Sequence, residues 1–190
     1  KNEADYLSKP YPFYLAYAIA EEASELGQPK DWLAEHKWDG IRAQLIVRKG
    51  QLFVWSRGEE LVTDKYPEFE IFAEVLPDGT VLDGEILPYP NDSIGDFKDL
   101  QTRIGRKNVS KALLKKLPVI LKAYDILEYK GEDIRSTPFE KRREVLEDLF
   151  RKHRKDILPF HLSETMRFTS WEDMAKEREK ARDIKSEGLM

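Results

Sequence analysis

Residues 32–56 have the sequence WLAEHKWDGIRAQLIVRKGQLFVWS, and this stretch decides the fold class. Its β-branched and aromatic residues predict extended segments at Trp32–Lys37, Ile41–Arg48 and Leu52–Ser56. Trp38-Asp39-Gly40 and Lys49-Gly50 are turn signals that separate these segments. The stretch therefore predicts an antiparallel meander.

The rest of the chain mixes helices and strands without a regular alternation. Further strands are predicted at Thr80–Leu87 and Pro118–Leu127, and the start of another at Glu187–Met190. Helices are predicted at Pro12–Leu26, Pro67–Leu76, Phe97–Ile104 and Ser110–Leu117, and after capping boxes at Thr137 and Ser170, up to about Arg151 and Ile184. This pattern predicts the α+β class, with antiparallel β-sheets flanked by helices.

The composition excludes several classes of protein. The 190 residues are 41% hydrophobic and 36% charged, which is typical of a globular protein and not of a disordered chain. The absence of cysteine excludes disulfides, iron–sulfur clusters and thiol nucleophiles, so catalysis requires carboxylates, amines, hydroxyls or a hard metal ion. No apolar run is long enough for a membrane span and no signal peptide is present, so we expect a cytoplasmic or otherwise intracellular protein.

The net charge of −4 conceals two opposed blocks. Residues Glu59–Asp96 contain eleven acidic residues and one lysine, whereas Lys98–Lys116 contains seven basic residues and one aspartate. The basic block is either a patch for a polyanionic partner or a solvated helical face, and the sequence leaves both interpretations open.

The first candidate for chemistry is Lys37, in Lys37-Trp38-Asp39-Gly40-Ile41-Arg42. A lysine at a strand end beside a tight turn is a possible nucleophile, and the alternative is an ordinary hairpin with a solvated lysine. The sequence contains neither G-x-x-x-x-G-K-[ST] nor G-x-G-x-x-G, so a nucleotide site would be built from side chains.

Four further signals each have an ordinary structural alternative. Asp83 and Glu85 share one strand face, which favours metal or hydroxyl binding unless the strand is a solvated edge. Arg57 is either a phosphate clamp or a surface arginine before a turn, and Tyr124 is either a base-stacking ring or a core residue. Glu187 offers a carboxylate in what is otherwise a helix-to-strand connection.

In their order and spacing, these five signals resemble the motifs of the covalent lysyl-nucleotide transferases. The chain is most similar to ATP-dependent DNA ligases of the bacterial type, through Glu35–Gln44 and Leu100–Lys107. The resemblance covers nearly the whole chain and implies an ATP-grasp-like DNA ligase nucleotidyltransferase domain.

The resemblance also implies a mechanism in which Lys37 is the catalytic nucleophile. Its amine would attack the α-phosphate of ATP to form lysyl-AMP, AMP would pass to the 5′-phosphate of a DNA nick, and the 3′-hydroxyl would displace it. The implied ATP-binding residues are Glu35 for the adenine amino group, Tyr124 for stacking, Arg42 and Glu85 for the ribose, Arg57 for phosphate, and Lys37 itself. Glu85 and Glu187 would bind Mg²⁺, and Asp39 and Gly40 are assigned to the shape of the turn.

The resemblance implies that the partners are ATP and nicked duplex DNA and that no membrane is involved. It also implies a monomer that acts in DNA replication, repair and recombination. The family pattern continues beyond Met190 into a lysine-bearing strand and an oligonucleotide-binding-fold domain. Larger members of the family carry a DNA-binding domain ahead of the first helix, so the resemblance implies that residues 1–30 are a helical segment and linker from such an upstream domain. Residues 31–190 would be a truncated adenylation domain, incomplete for nick sealing.

Two other functions are considered. An RNA ligase or mRNA-capping guanylyltransferase belongs to the same superfamily, because Lys-x-Asp-Gly-x-Arg is also found in capping enzymes. A noncatalytic nucleic-acid-binding module would use the basic block, but it leaves Lys37, Glu85 and Glu187 without a role.

Overall fold

The computed structural model describes residues 3–190 and divides the chain into two units. The first unit contains the chain up to Pro12 and Gly40–Leu162. The second unit contains Phe13–Asp39 and Ser163–Met190, so the first unit interrupts it in sequence.

In residues 3–190, six α-helices and eight strands make up most of the regular structure. The helices are α1 (Glu3–Ser8), α2 (Glu70–Val75), α3 (Phe97–Ile104), α4 (Lys111–Lys116), α5 (Phe139–His153) and α6 (Trp171–Glu179). The strands are β1 (His36–Trp38), β2 (Ile41–Arg48), β3 (Gln51–Ser56), β4 (Thr80–Pro88), β5 (Val119–Tyr129), β6 (Glu132–Asp133), β7 (Phe160–Leu162) and β8 (Ser186–Leu189). Short 3₁₀ turns lie at Ala23–Leu26, Pro29–Asp31, Thr63–Lys65, Pro67–Phe69, Pro90–Asp92 and Lys180–Ile184. No helix in residues 3–190 is long and apolar enough to cross a membrane.

The first unit is built on a six-stranded sheet of order β3-β2-β4-β5-β6, in which β7 also pairs with β5. All pairs are antiparallel except β5–β7, which is parallel. The β2–β3 hairpin turns at Lys49 and Gly50, both at positive φ, as a two-residue turn with this strand twist requires. The hairpin and the α+β class predicted from the sequence are confirmed.

Successive residues of each strand point to opposite faces of this sheet, and side chains on both faces are buried. The main core contains Ala43, Leu45 and Val47 of β2, together with apolar side chains of α2, α3 and α5. A smaller cluster on other sheet residues contains Ile46, Val81 and Leu127. Burial on both faces fixes the register of β2 and β4, the strands that present the candidate site residues of this unit.

The second unit contains the two-stranded antiparallel sheet β1–β8 and helix α6. Beyond the sheet, Glu35 and Met190 exchange two backbone hydrogen bonds of 2.8 and 2.7 Å. The Ser170 hydroxyl accepts a hydrogen bond from the Asp173 amide and caps α6, as predicted.

Most predicted elements are confirmed, including the helices at α2, α3 and α4 and the strands at β4, β5 and β8. The helix expected after Thr137 exists as α5, but the capping box is wrong, because the N-cap residue is Pro138 and has no capping side chain. The carbonyl of Thr137 instead accepts a hydrogen bond from Arg142.

Two other predictions are wrong. The expected helix over Pro12–Leu26 is reduced to the 3₁₀ turn Ala23–Leu26 in the described chain. Tyr14, Tyr17 and Ile19 are exposed, so this segment has no buried apolar face to stabilise a helix. The expected hairpin at Trp38-Asp39-Gly40 does not form either, because β1 pairs with β8 and β2 pairs with β3 and β4.

Candidate active site

Lys37 lies on β1 in the second unit, and its side chain is 48% exposed. Pairing of β1 with β8 brings Glu187 beside it, and the Lys37 Nζ donates a hydrogen bond to the Glu187 Oε2. The Glu187 side chain is 43% exposed, so both charged groups remain in contact with solvent. The arrangement presents an accessible amine next to a carboxylate that can accept its proton.

Asp39 belongs to the same charged group, a role that the sequence reasoning missed. Partial burial and the nearby Glu187 carboxylate raise the pKa of Asp39, whereas Lys37 opposes this increase. Lys37 and Asp39 are two residues apart on an extended chain, and this spacing places their side chains on one side. The spacing was the one sequence signal for this contact.

Gly40 lies against the backbone of β4 and not in the hairpin that the sequence predicted. A Cβ at this position would lie 2.2 Å from the carbonyl oxygen of Ile86, closer than any side-chain atom can approach. The turn therefore requires glycine for a close approach of backbone to β4.

Glu35 and His36 support β1 within the second unit. Glu35, the residue predicted to contact adenine, is 9% exposed. His36 Nε2 donates to Glu177 Oε1 on α6 at 3.1 Å, and this contact connects β1 to the helix. The candidate nucleophile thus follows two residues that are held by packing and hydrogen bonding.

In the first unit, Arg42, Asp83 and Tyr124 form a second group. Arg42 Nη2 lies 2.8 Å from Asp83 Oδ2, and Arg42 Nε lies 3.3 Å from Asp83 Oδ1. Burial raises the pKa of Asp83, while hydrogen bonds from Arg42 and Tyr124 oppose that shift. The Arg42 guanidinium carbon is 5.9 Å from the centre of the Tyr124 ring, so one buried carboxylate orients both side chains.

The structure thereby explains the paired carboxylates of Asp83 and Glu85. Strand β4 lies between β2 and β5, so the solvated-edge interpretation is wrong. Asp83 binds Arg42, and Glu85 lies opposite Arg42 on β2 and opposite Lys122 on β5. Glu85 is partly exposed and Asp83 is buried, so the two carboxylates have different environments.

Arg57 follows β3 and its side chain is exposed. Its backbone amide donates to the Arg42 carbonyl oxygen at 3.2 Å, which joins the turn after β3 to β2. Arg42, Glu85, Tyr124 and Arg57 therefore belong to one sheet and its adjoining turn.

Two arginines of α5, which the sequence did not indicate, fix the strand that carries Tyr124. Arg142 forms an ion pair with Asp125, with Nε and Oδ1 2.9 Å apart. Arg143 is buried and donates to the Tyr124 carbonyl oxygen at 3.1 Å. Charged residues of a helix are usually solvated, so the sequence gave no indication that these two arginines contact β5.

The first unit carries a buried carboxylate that orients an arginine and a tyrosine, and the second unit carries an accessible lysine in a K-x-D-G motif. Each feature is typical of a nucleotidyltransferase domain. A family profile described as "ATP dependent DNA ligase domain" matches residues 14–190. The chain belongs to this family of ATP-dependent DNA ligase domains.

Individual relatives agree with this assignment. A probable DNA ligase of Koribacter versatilis is 34% identical over 145 residues, which are 76% of this chain and 25% of the relative. A DNA ligase of Thermoplasma volcanium is 31% identical over 124 residues, which are 63% of this chain and 21% of the relative. The chain thus spans about a quarter of these curated relatives, or less.

Solved structures show the same fold. The ligase domain of LigD from M. tuberculosis has a TM-score of 0.63 at 27% identity, over 83% of this chain and 47% of that chain. The ATP-dependent DNA ligase of bacteriophage T7, solved in complex with ATP, has a TM-score of 0.58 over 91% of this chain and 61% of that chain. Its identity of 16% supports the fold alone.

Proposed function

We propose that this domain adenylates itself on Lys37 as the first step of ATP-dependent DNA ligation. The contact between the half-exposed Lys37 amine and Glu187 carries the proposal. A lysine amine must lose a proton before it attacks phosphorus, and the Glu187 carboxylate is in position to accept one.

The covalent step is a phosphoryl transfer at the α-phosphate of ATP. A bond forms between Lys37 Nζ and the α-phosphorus, the bond to the bridging oxygen breaks, and pyrophosphate leaves with the electron pair. The second proton, which the nitrogen loses as the phosphoramidate forms, leaves with pyrophosphate. AMP would then be transferred to the 5′-phosphate of a DNA nick, and attack by the 3′-hydroxyl would release it.

Five side chains are proposed to hold the nucleotide in addition to Lys37. Tyr124 offers a ring that the Asp83 hydrogen bond orients for stacking on adenine, and Glu35 is assigned to the adenine amino group. Arg42 and Glu85 are assigned to the ribose, and the exposed Arg57 guanidinium to phosphate.

The proposed Mg²⁺ fits the donor chemistry of Glu85 and Glu187. Within residues 3–190, no cluster of three or more His, Asp or Glu side chains is arranged to hold a metal ion. A Mg²⁺ ion that accompanies a nucleotide needs only one or two protein carboxylates, because phosphate oxygens and water supply the other ligands. When bound, Mg²⁺ neutralises charge that develops on the leaving pyrophosphate.

Incubation of the protein with α-labelled ATP and Mg²⁺ tests the proposal. We expect label that survives denaturation, is lost when pyrophosphate is added, and maps to Lys37 by mass spectrometry. Lys37→Ala and Lys37→Arg should both abolish labelling, because a guanidinium is not nucleophilic at neutral pH. Lys176→Ala, a change at an exposed lysine of α6, is the matched control and should label normally.

Labelling that persists in Lys37→Ala, or AMP located on another lysine, would refute the assignment. Competition by unlabelled ATP and not by GTP should distinguish the DNA ligase from a capping guanylyltransferase.

A further inference from the structure

Helices α3 and α4 and the loop between them carry a surface rich in positive charge. Residues 100–124 contain no Asp or Glu. We define the α3–α4 basic surface as the exposed side chains Lys98, Arg106, Lys107, Lys111, Lys115 and Lys116.

Arg103 is not part of this surface, although its position in the basic block suggested a DNA contact. Its side chain is 1% exposed and forms two 2.7 Å hydrogen bonds with the Glu68 carboxylate. The same guanidinium donates to the carbonyl oxygens of Lys65 and Leu117. Its charge is therefore neutralised inside the fold, and only the six exposed cations remain available to a partner.

The backbone beneath the surface is held in place from two sides. Arg103 connects α3 to the residue that follows α4, because it donates to the Leu117 carbonyl oxygen at 2.9 Å. Lys65 Nζ donates to the carbonyl oxygen of Arg106, in the loop that joins the two helices. A fixed backbone lowers the entropy lost when the side chains bind a partner.

Asp99 is the one acidic residue in the segment Lys98–Lys116. Its Oδ2 lies beside Gly95, 3.0 Å from the position that a Cβ would take there. Its carboxylate therefore faces the preceding turn. On α4, Lys111 and Lys115 are four residues apart and share one helix face, about 6 Å apart at their Cβ atoms.

We infer that the α3–α4 basic surface binds the phosphate backbone of duplex DNA. The inference rests on the proposed function, since a ligase substrate is a polyanion on which closely spaced lysines release condensed counterions. Five of the six exposed cations are lysines, which contact phosphate as point charges and do not read base edges with bidentate geometry. The surface therefore positions the duplex without sequence preference.

The test is binding of a fluorescent nicked duplex, measured by anisotropy over a series of salt concentrations without ATP. Lys107→Glu/Lys111→Glu should weaken binding roughly tenfold or more at low salt and reduce the salt slope by about 2. Lys107→Gln/Lys111→Gln should show a smaller loss in the same direction. Lys152→Glu/Lys155→Glu, at exposed positions near the end of α5, makes the same change in net charge and should have a much smaller effect.

Equal losses in the two charge-reversed variants, unchanged binding in the first, or no binding by the wild type at low salt would each overturn the inference. Thermal unfolding verifies that the variants fold. Lys37 labelling by ATP, measured in the same variants, should be unchanged. If the wild type labels and the DNA affinities do not differ, this inference alone fails, whereas absent labelling counts against the proposed function.

Discussion

Replacement of Arg103 by leucine should destabilise the protein strongly, because the guanidinium connects three separate segments of the first unit. It forms a bidentate ion pair with Glu68 and donates to the carbonyl oxygens of Lys65 and Leu117. Removal of one partner leaves Glu68 and two carbonyl oxygens without these donors. Breaking a buried ion pair from one side costs about 3–5 kcal/mol of unfolding free energy.

The magnitude is measurable by thermal and urea unfolding. For a chain of this length, about 3–5 kcal/mol corresponds to a decrease of roughly 6–20 °C in Tm. Arg103→Lys should lie between wild type and Arg103→Leu, since an ammonium keeps the charge but does not reproduce the planar fork.

Arg106→Leu is the matched control, three residues away at an exposed position, and should change stability by no more than about 0.5 kcal/mol. For DNA affinity the expected order is reversed, because Arg106 belongs to the α3–α4 basic surface and Arg103 does not. Arg106→Leu should therefore weaken DNA binding. If Arg103→Leu unfolds within about 1 kcal/mol of wild type, the argument from burial and hydrogen bonding is incorrect.

Three further predictions concern individual side chains. Tyr124→Ala should weaken ATP binding, measured by calorimetry, by about 1–3 kcal/mol. Tyr124→Phe should weaken it less, since this variant loses only the hydrogen bond to Asp83. Equal losses in the two variants would contradict stacking. Burial and the 2.6 Å hydrogen bond to Glu128 raise the pKa of Tyr11 from 10.0 to about 12. Below pH 10 the hydroxyl keeps its proton and this hydrogen bond, so Tyr11→Phe should be less stable than wild type by about 1 kcal/mol. This difference should disappear between pH 10 and about 12, and a constant difference in urea titrations across that range would refute the assignment. Gly40→Ala should cost about 1–3 kcal/mol in urea unfolding, because its methyl group would overlap a carbonyl oxygen of β4; wild-type stability would show that the turn has room.

The elements that the sequence predicted well are those whose signals are local. Strand β4 has β-forming or aliphatic residues on both sides of Asp83–Glu85, and β5 is rich in β-forming residues. Helices α3 and α4 have apolar residues at helical spacing. The aromatic and aliphatic run in Pro12–Leu26 gives the same local signal, but its side chains remain exposed and no helix forms. Periodicity alone does not indicate whether a second surface exists for an apolar face to pack against.

The sequence indicated which residue types are important more reliably than it indicated which side chains contact one another. The sequence singled out Lys37 and Glu187, and the structure places them in contact. It placed Arg103 in a basic block that either faces DNA or is a solvated helical face, whereas the structure buries this side chain against Glu68. A basic segment has the same amino-acid composition whether its arginine is exposed or buried, so only the fold distinguishes these two environments.

The pairing of β1 with β8 has a consequence for how the protein is made. Lys37 and Glu187 are 150 residues apart, and Gly40–Leu162 of the first unit lies between the two segments that form the second. Closing a loop of this length costs about 4 kcal/mol of chain entropy, so strands this distant pair late, after local contacts have formed. During synthesis from the amino terminus, Lys37 would leave the ribosome long before its carboxylate partner is translated. The nascent chain therefore carries an unpaired lysine, and the contact that we propose activates it can form only when β8 emerges.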